Sequence, residues 1–144
     1  MLVRAATMRD HDGVVELMQF MHPSDPKLSE NVSRSVFKEI LESNGFSITV
    51  AEVSDKLAGS CYINVIPNLT RNAAPYAVIE NVVTHPEFGR QEVEQALVSH
   101  TLQLAKSHGC YKVMLLTNGD PSVHRLYESC GMKSGTETAF FKRW

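Results

Sequence analysis

Apolar and polar residues follow two different periods along the chain, and the changes of period mark out the elements. Leu2 to Ala6 is a short apolar run that predicts a first strand. Val14, Leu17, Met18 and Met21, spaced i, i+3, i+4, i+7, predict a helix that His22-Pro23-Ser24-Asp25-Pro26 ends. Ser29 is placed to cap a second helix with the stripe Val32, Val36, Phe37, Ile40 and Leu41, stopped at Asn44-Gly45. The period then shortens. Phe46 to Val53 and Leu57 to Ile66, joined through Ser54-Asp55-Lys56, are rich in β-formers and predict an antiparallel hairpin. Beyond the polar turn Pro67 to Asn72 lies another apolar strand, Tyr76 to Thr84, interrupted by Glu80 and Asn81 and ended by His85-Pro86-Glu87.

The stripe Val93, Ala96, Leu97, Thr101, Leu104 and Ala105 predicts a long amphipathic helix from about Gln91 to His108, with Gly109 suited to the left-handed position after it. Val113 to Leu116 is continuously apolar, the mark of a strand buried on both faces. Asp120-Pro121 supplies an N-cap and a first-turn proline for a short helix that Gly131 closes, and Thr136 to Lys142 predicts a last strand. No repeat, linker or low-complexity tract divides the 144 residues, so one domain over 1–144 is expected.

At 43% hydrophobic and 21% charged residues the chain has the make-up of a protein that packs a core, which excludes disordered and collagen-like classes. Fourteen basic against sixteen acidic residues give a formal charge of −2, so no positive field draws nucleic acid or an anionic membrane, and a small-molecule partner is expected. Cys61, Cys110 and Cys130 are odd in number and far apart, suggesting neither a disulfide framework nor a zinc site. With no apolar leader at the N-terminus and no run near the roughly 18 residues a spanning helix needs, a cytoplasmic location is expected. His85, His100 and His108 do not combine with acidic residues at metal spacing, and no metal is expected.

Ligands of open α/β sheets bind at the carboxyl ends of strands, and a helix N-terminus after a strand is a ready anion site, which singles out Val82 to Leu97. Ile79-Glu80-Asn81-Val82-Val83-Thr84-His85-Pro86-Glu87-Phe88, Cys110-Tyr111-Lys112-Val113 and Arg125-Leu126-Tyr127-Glu128-Ser129-Cys130-Gly131-Met132 resemble the GNAT superfamily of acetyl-CoA-dependent N-acetyltransferases. The likeness covers nearly the whole chain. Within the superfamily, the Ile79 to Val83 and Cys110 to Val113 stretches look closest to glucosamine 6-phosphate N-acetyltransferases and to small bacterial relatives of unassigned substrate.

The resemblance implies an α/β (α+β) fold: a mixed, mostly antiparallel twisted sheet of about seven strands flanked by about four helices. The implied order is strand, two helices, three strands, helix, strand, helix, two strands. It also implies acetyl-CoA as co-substrate, the primary amine of a small molecule as acceptor, direct attack in a ternary complex, and a homodimer. The backbone of Val82, Val83 and Thr84 would bond the pantetheine arm and polarise the tetrahedral intermediate, and the loop Gly89, Arg90, Gln91, Glu92, Val93 and Glu94 would hold the pyrophosphate. Asp120 stands where relatives often carry an asparagine near the cofactor, and is equally well explained as a helix cap.

That loop departs from the family pattern Arg/Gln-x-x-Gly-x-Gly/Ala, whose three defining positions fall on Gly89, Glu92 and Glu94. Carboxylates there bring bulk and like charge to a diphosphate. The other reading of Glu92 and Glu94 is that they complement the dipole of the helix they open. The departure also supports a different function, a GNAT-fold binding or regulatory module whose cleft serves a small ligand or a partner subunit.

Tyr127 falls where the family places a tyrosine near the cofactor sulfur, and its implied role is general acid to the departing thiolate; a core tyrosine with a satisfied hydroxyl is the alternative. Glu80, ionisable in an apolar strand, is the candidate base for the acceptor ammonium; a carboxylate that only orients backbone is the alternative. His124 lies one turn before Tyr127 on the same face. No feature indicates an activated thiol among the cysteines. Acceptor specificity is expected from the His22 to Lys27 loop, the Asn68 to Pro75 loop and the C-terminal strand, with Arg71 and Lys27 able to meet an anionic acceptor.

Overall fold

A computed structural model describes residues 1–117 and 120–144, with the side chains of Arg90 and Gln91 outside the described set. The elements run β1 (Leu2–Ala5), α1 (His11–Met21), α2 (Glu30–Glu42), β2 (Phe46–Val53), β3 (Lys56–Ile66), β4 (Tyr76–Thr84), α3 (Arg90–Ser107), β5 (Val113–Leu115) and α4 (Pro121–Ser129). A single 3₁₀ turn, Met8–Asp10, leads into α1. One sheet has the order β1-β2-β3-β4-β5, antiparallel throughout except for the parallel pair of β4 and β5.

Local sequence explains most of these boundaries. The Ser29 side chain accepts a hydrogen bond from the Val32 N–H at 3.4 Å and starts α2. Ser54 and Asp55 both have positive φ (50° and 62°), which gives the β2–β3 hairpin the twist of a two-residue turn. Alternation divides the sheet between two layers of helix. Ile48 and Val50 pack with Val14 and Phe37 under α1 and α2. On the other face Ala51, Cys61, Ile63, Ala77 and Ile79 pack with Val93, Leu97 and Ala105 of α3. Gly59 is required by this contact, because a Cβ there would come within 2.6 Å of the Val83 carbonyl oxygen and 3.0 Å of both Leu97 and Val93.

The described residues form five strands rather than about seven, and the two that are missing are the last two. Thr136 to Lys142 has β-forming side chains but no ladder. Strand propensity measures fit to a half-buried pleated surface, and here no apolar layer covers the segment: Phe140 is 94% exposed and Phe141 72%. The same lack of cover leaves Val113, Met114 and Leu115 half-buried instead of enclosed on both faces, with Leu116 exposed.

Away from the site, Arg4 reaches across the sheet edge, donating to Asp10 Oδ2 and Oδ1 at 2.8 and 2.9 Å and to Glu52 Oε2 at 2.7 Å. Hydrogen bonds from Arg4 hold the Asp10 carboxyl, only 7% exposed, below the usual carboxylate range. A depressed folded-state pKa stabilises the fold above the unfolded value and is lost as pH falls through the folded one. Asp10→Asn is therefore expected to cost about 2 kcal/mol in urea unfolding at pH 7 and less at pH 3. Equal losses at both pH values would remove the ion pair from the account.

Candidate active site

The parallel ladder between β4 and β5 is short: Ala77, Val78 and Ile79 pair with Val113, Met114 and Leu115, and there β5 ends. β4 continues through Glu80 to Thr84 with no ladder on that side among the described residues, which leaves a slot in the sheet's hydrogen bonding beside its carboxyl end. Asn81 shapes the slot. Tyr62 pairs with Glu80 and Ser60 with Val83, so the single residue Cys61 faces both Asn81 and Val82, and Asn81 takes a left-handed φ of 51°. This is a β-bulge, and asparagine is among the few residues that tolerate its conformation. Before the bulge, Glu80 shares the α1 and α2 face with Tyr62; after it, Val82 packs toward α3. Thr84 ends the strand with its hydroxyl buried and without a hydrogen-bond partner among the described residues. The sequence signal was the Glu80-Asn81 interruption itself, but a bulge depends on register with β3, which one strand cannot reveal.

From Thr84 the chain turns back into α3. The His85 ring packs edge-on against Phe20 of α1 at 4.7 Å and Phe88 at 5.7 Å, and its Nδ1 accepts from the Glu87 N–H at 3.2 Å, which fixes the connection against the end of α1. Gly89 is the N-cap of α3 and has no side chain to cap it; a Cβ there would meet nothing within 4 Å, so space is open above the first turn. Of the predicted loop residues, the side chains of Arg90 and Gln91 lie outside the described residues. Glu92 is exposed in the first turn, where its charge complements the helix dipole. The Val93 side chain belongs to the core under Gly59, which leaves only its main chain to face a ligand. Glu94 is half-buried, and its charge reaches α4.

α4 opens at Asp120, whose carboxylate accepts from the Ser122 N–H at 2.8 Å and the Ser122 hydroxyl at 2.6 Å; these bonds hold it below the usual carboxylate range. Asp120 is thus a working helix cap. Gln95 Nε2 meets Ser129 Oγ at 3.4 Å and pins α4 to α3. Tyr127 is half-buried, and burial first, then the nearby Glu94 charge, push its phenol up to about 12. His124 and Tyr127 line one cavity of about 410 Å³ between β5, α4 and the C-terminal segment. Tyr127 and Glu80 lie on opposite faces of the sheet: α4, which carries Tyr127, packs on α3, whereas Glu80 is exposed on the α1 side.

Other expectations fall elsewhere. Burial pushes the Cys61 thiol up to about 11 and raises Cys110 as well, the reverse of an activated nucleophile. The 67–75 connection sits at the opposite end of the sheet from the slot, joining Ile66 to Tyr76, with Arg71 stacked 5.6 Å from the Tyr111 ring. The connection from α1 to α2 begins next to Phe20, whose ring meets His85 just after the carboxyl end of β4. No group of three or more His, Cys, Asp or Glu side chains among the described residues is placed to hold a metal ion, and no helix among them is long and apolar enough to cross a membrane.

Comparison with known proteins identifies the fold and the family. A candidate acetyltransferase structure from Agrobacterium tumefaciens is 41% identical and superposes with a TM-score of 0.94 over 100% of both chains. A transcriptional regulator from Bacillus halodurans is 26% identical with a TM-score of 0.85 over 99% of both chains. Glucosamine 6-phosphate N-acetyltransferase of Arabidopsis thaliana is 27% identical over 125 residues, 85% of this chain and 82% of that protein. Residues 12–132 match the acetyltransferase (GNAT) family, and the chain belongs to that family.

Proposed function

We propose that this chain moves an acetyl group from acetyl-CoA to the primary amine of a small molecule, by direct attack within a ternary complex. The observation that carries the reading is the slot beside β4, bulged at Asn81, with Glu80 on one face and Tyr127 on the other. An amide made by transfer needs three things of the protein: backbone donors for the thioester carbonyl, a base for the ammonium and a donor for the leaving sulfur. The β4 edge from Val82 to Thr84 offers backbone groups, and the uncapped mouth of α3 at Gly89 offers N–H groups for the diphosphate. The group fits this chain with one strain, the carboxylate of Glu94.

Glu80 takes the ammonium proton, directly or through water, so that the nitrogen lone pair can attack. Tyr127 holds its proton too tightly to surrender it alone: a phenol at about 12 facing a thiol of about 8.5 makes full transfer uphill by roughly 5 kcal/mol. Its role is to hydrogen-bond the developing thiolate, with net protonation completed by the proton that the amine releases. Glu80→Gln is expected to lower kcat/KM at pH 7 about hundredfold and to leave a pH profile set by the amine alone. A variant with the parent's profile and rate would make Glu80 a structural carboxylate.

A second reading, a binding or regulatory module, is favoured by Glu94 standing near the phenol where the family pattern has glycine or alanine. Assaying CoA release against a panel of amines separates the two. Turnover with any amine class selects the enzyme, and saturable acetyl-CoA binding without turnover selects the module.

A further inference from the structure

A second cavity, of about 200 Å³, lies on the α1 and α2 face of the sheet. Its walls are Val14, Met18, Val36, Phe37, Ile40 and Tyr62. Tyr62 pairs directly with Glu80 across β3 and β4, so both side chains rise from the same face, their Cβ atoms about 5 Å apart. The cavity and the candidate base are therefore neighbours. The hydroxyl of Ser33, a polar group of the wall, is already engaged: it donates to the Glu30 carbonyl at 3.1 Å and lies 3.0 Å from His11 Nε2. Further polar side chains stand at the exposed mouth, where Gln19 and His22 join Asp25 and Lys27 of opposite signs, and none of these four is among the buried walls.

This chemistry selects among amines. A sugar phosphate needs a cluster of donors for its hydroxyls and its dianion, because each polar group buried without a partner is penalised. Apolar walls reward an apolar guest, and an engineered apolar cavity of roughly 150 Å³ takes up benzene. Resting on the acetyltransferase reading above, we infer that this cavity is the acceptor subsite. It holds the aryl or branched-alkyl body of a primary amine whose nitrogen is presented to Glu80. The substrate class is then the hydrophobic monoamine rather than the amino-sugar phosphate.

The test compares 2-phenylethylamine, isopentylamine, ethanolamine and glucosamine 6-phosphate as acceptors with acetyl-CoA, alongside calorimetric binding of 2-phenylethylamine. The two apolar amines are expected to exceed ethanolamine and the sugar phosphate in kcat/KM by about thirtyfold or more, the worth of burying such a group. Met18→Gln, similar in shape but polar, should raise the KM for 2-phenylethylamine about fivefold and leave that for acetyl-CoA unchanged. Preference for glucosamine 6-phosphate or ethanolamine would overturn the subsite while leaving the acetyltransferase standing. Binding of 2-phenylethylamine that weakens in Met18→Gln, with no amine acetylated, would support the subsite and overturn the transfer reaction. Neither binding nor turnover would overturn both.

Discussion

Tyr127→Phe is expected to lower kcat about hundredfold, roughly 2.7 kcal/mol of transition-state stabilisation, while the KM for acetyl-CoA moves less than about twofold. The phenol is held on α4, half-buried, with its proton secured up to about pH 12 by burial and by the charge of Glu94. Charge on the sulfur develops only as the tetrahedral intermediate collapses, so a donor to it acts in the transition state and not in the ground state. Phenylalanine keeps the ring and its packing and removes only the donor. Steady-state kinetics at pH 7 checks this, and an unchanged kcat would return Tyr127 to the core. Because the phenol stays protonated well above neutrality, the wild type should also show no loss of activity from this group between pH 7 and 10.

Glu94→Ala is expected to tighten acetyl-CoA binding about thirtyfold, whereas Glu92→Gln should change it less than about threefold. The two carboxylates occupy the two glycine positions of the family pattern, but the structure separates them. Glu92 is exposed in the first turn of α3, where water screens it and the helix dipole welcomes it. Glu94 is half-buried and close enough to Tyr127 to raise its phenol. With the diphosphate bound at the α3 mouth as proposed, a like charge in this helix, partly screened, would oppose binding by about 2 kcal/mol, which is the thirtyfold. The same substitution removes one cause of the raised phenol, so the tyrosinate absorbance of Tyr127 should develop at lower pH in the variant. Equal affinities in parent and Glu94→Ala protein would show that the carboxylate does not oppose the diphosphate.

Where local chemistry decides structure, the sequence predicts it well. Ser29 caps α2, Ser54-Asp55 turns the hairpin, Asp120 caps α4 and the stripe from Val93 to Ala105 forms the buried side of α3. Features that depend on partners distant in the chain were hidden. The bulge at Asn81 exists only in register with Cys61, and the apolar cavity only where α1, α2 and Tyr62 meet. Thr136 to Lys142 has the composition of a strand, yet nothing in the chain covers its aromatic side chains, and composition cannot supply a partner. Glu80 and Tyr127 were both named from residue type and family likeness, but that they lie on opposite faces of the sheet follows from the register of β3 with β4 and from the packing of α4 on α3. Arg4, Asp10 and Glu52, joined across 48 positions, carried no local signal at all.

Acetyl-CoA bound as proposed lies along the edge of β4 beyond its ladder with β5, with its diphosphate at the mouth of α3. Titrating acetyl-CoA into the ¹⁵N-labelled chain and following its backbone amides tests this directly. Saturable shifts are expected at Val82, Val83 and Thr84 and in the first turn of α3, with the β1–β2 edge unmoved. Saturation at other amides, or no shift at these at millimolar acetyl-CoA, would contradict it.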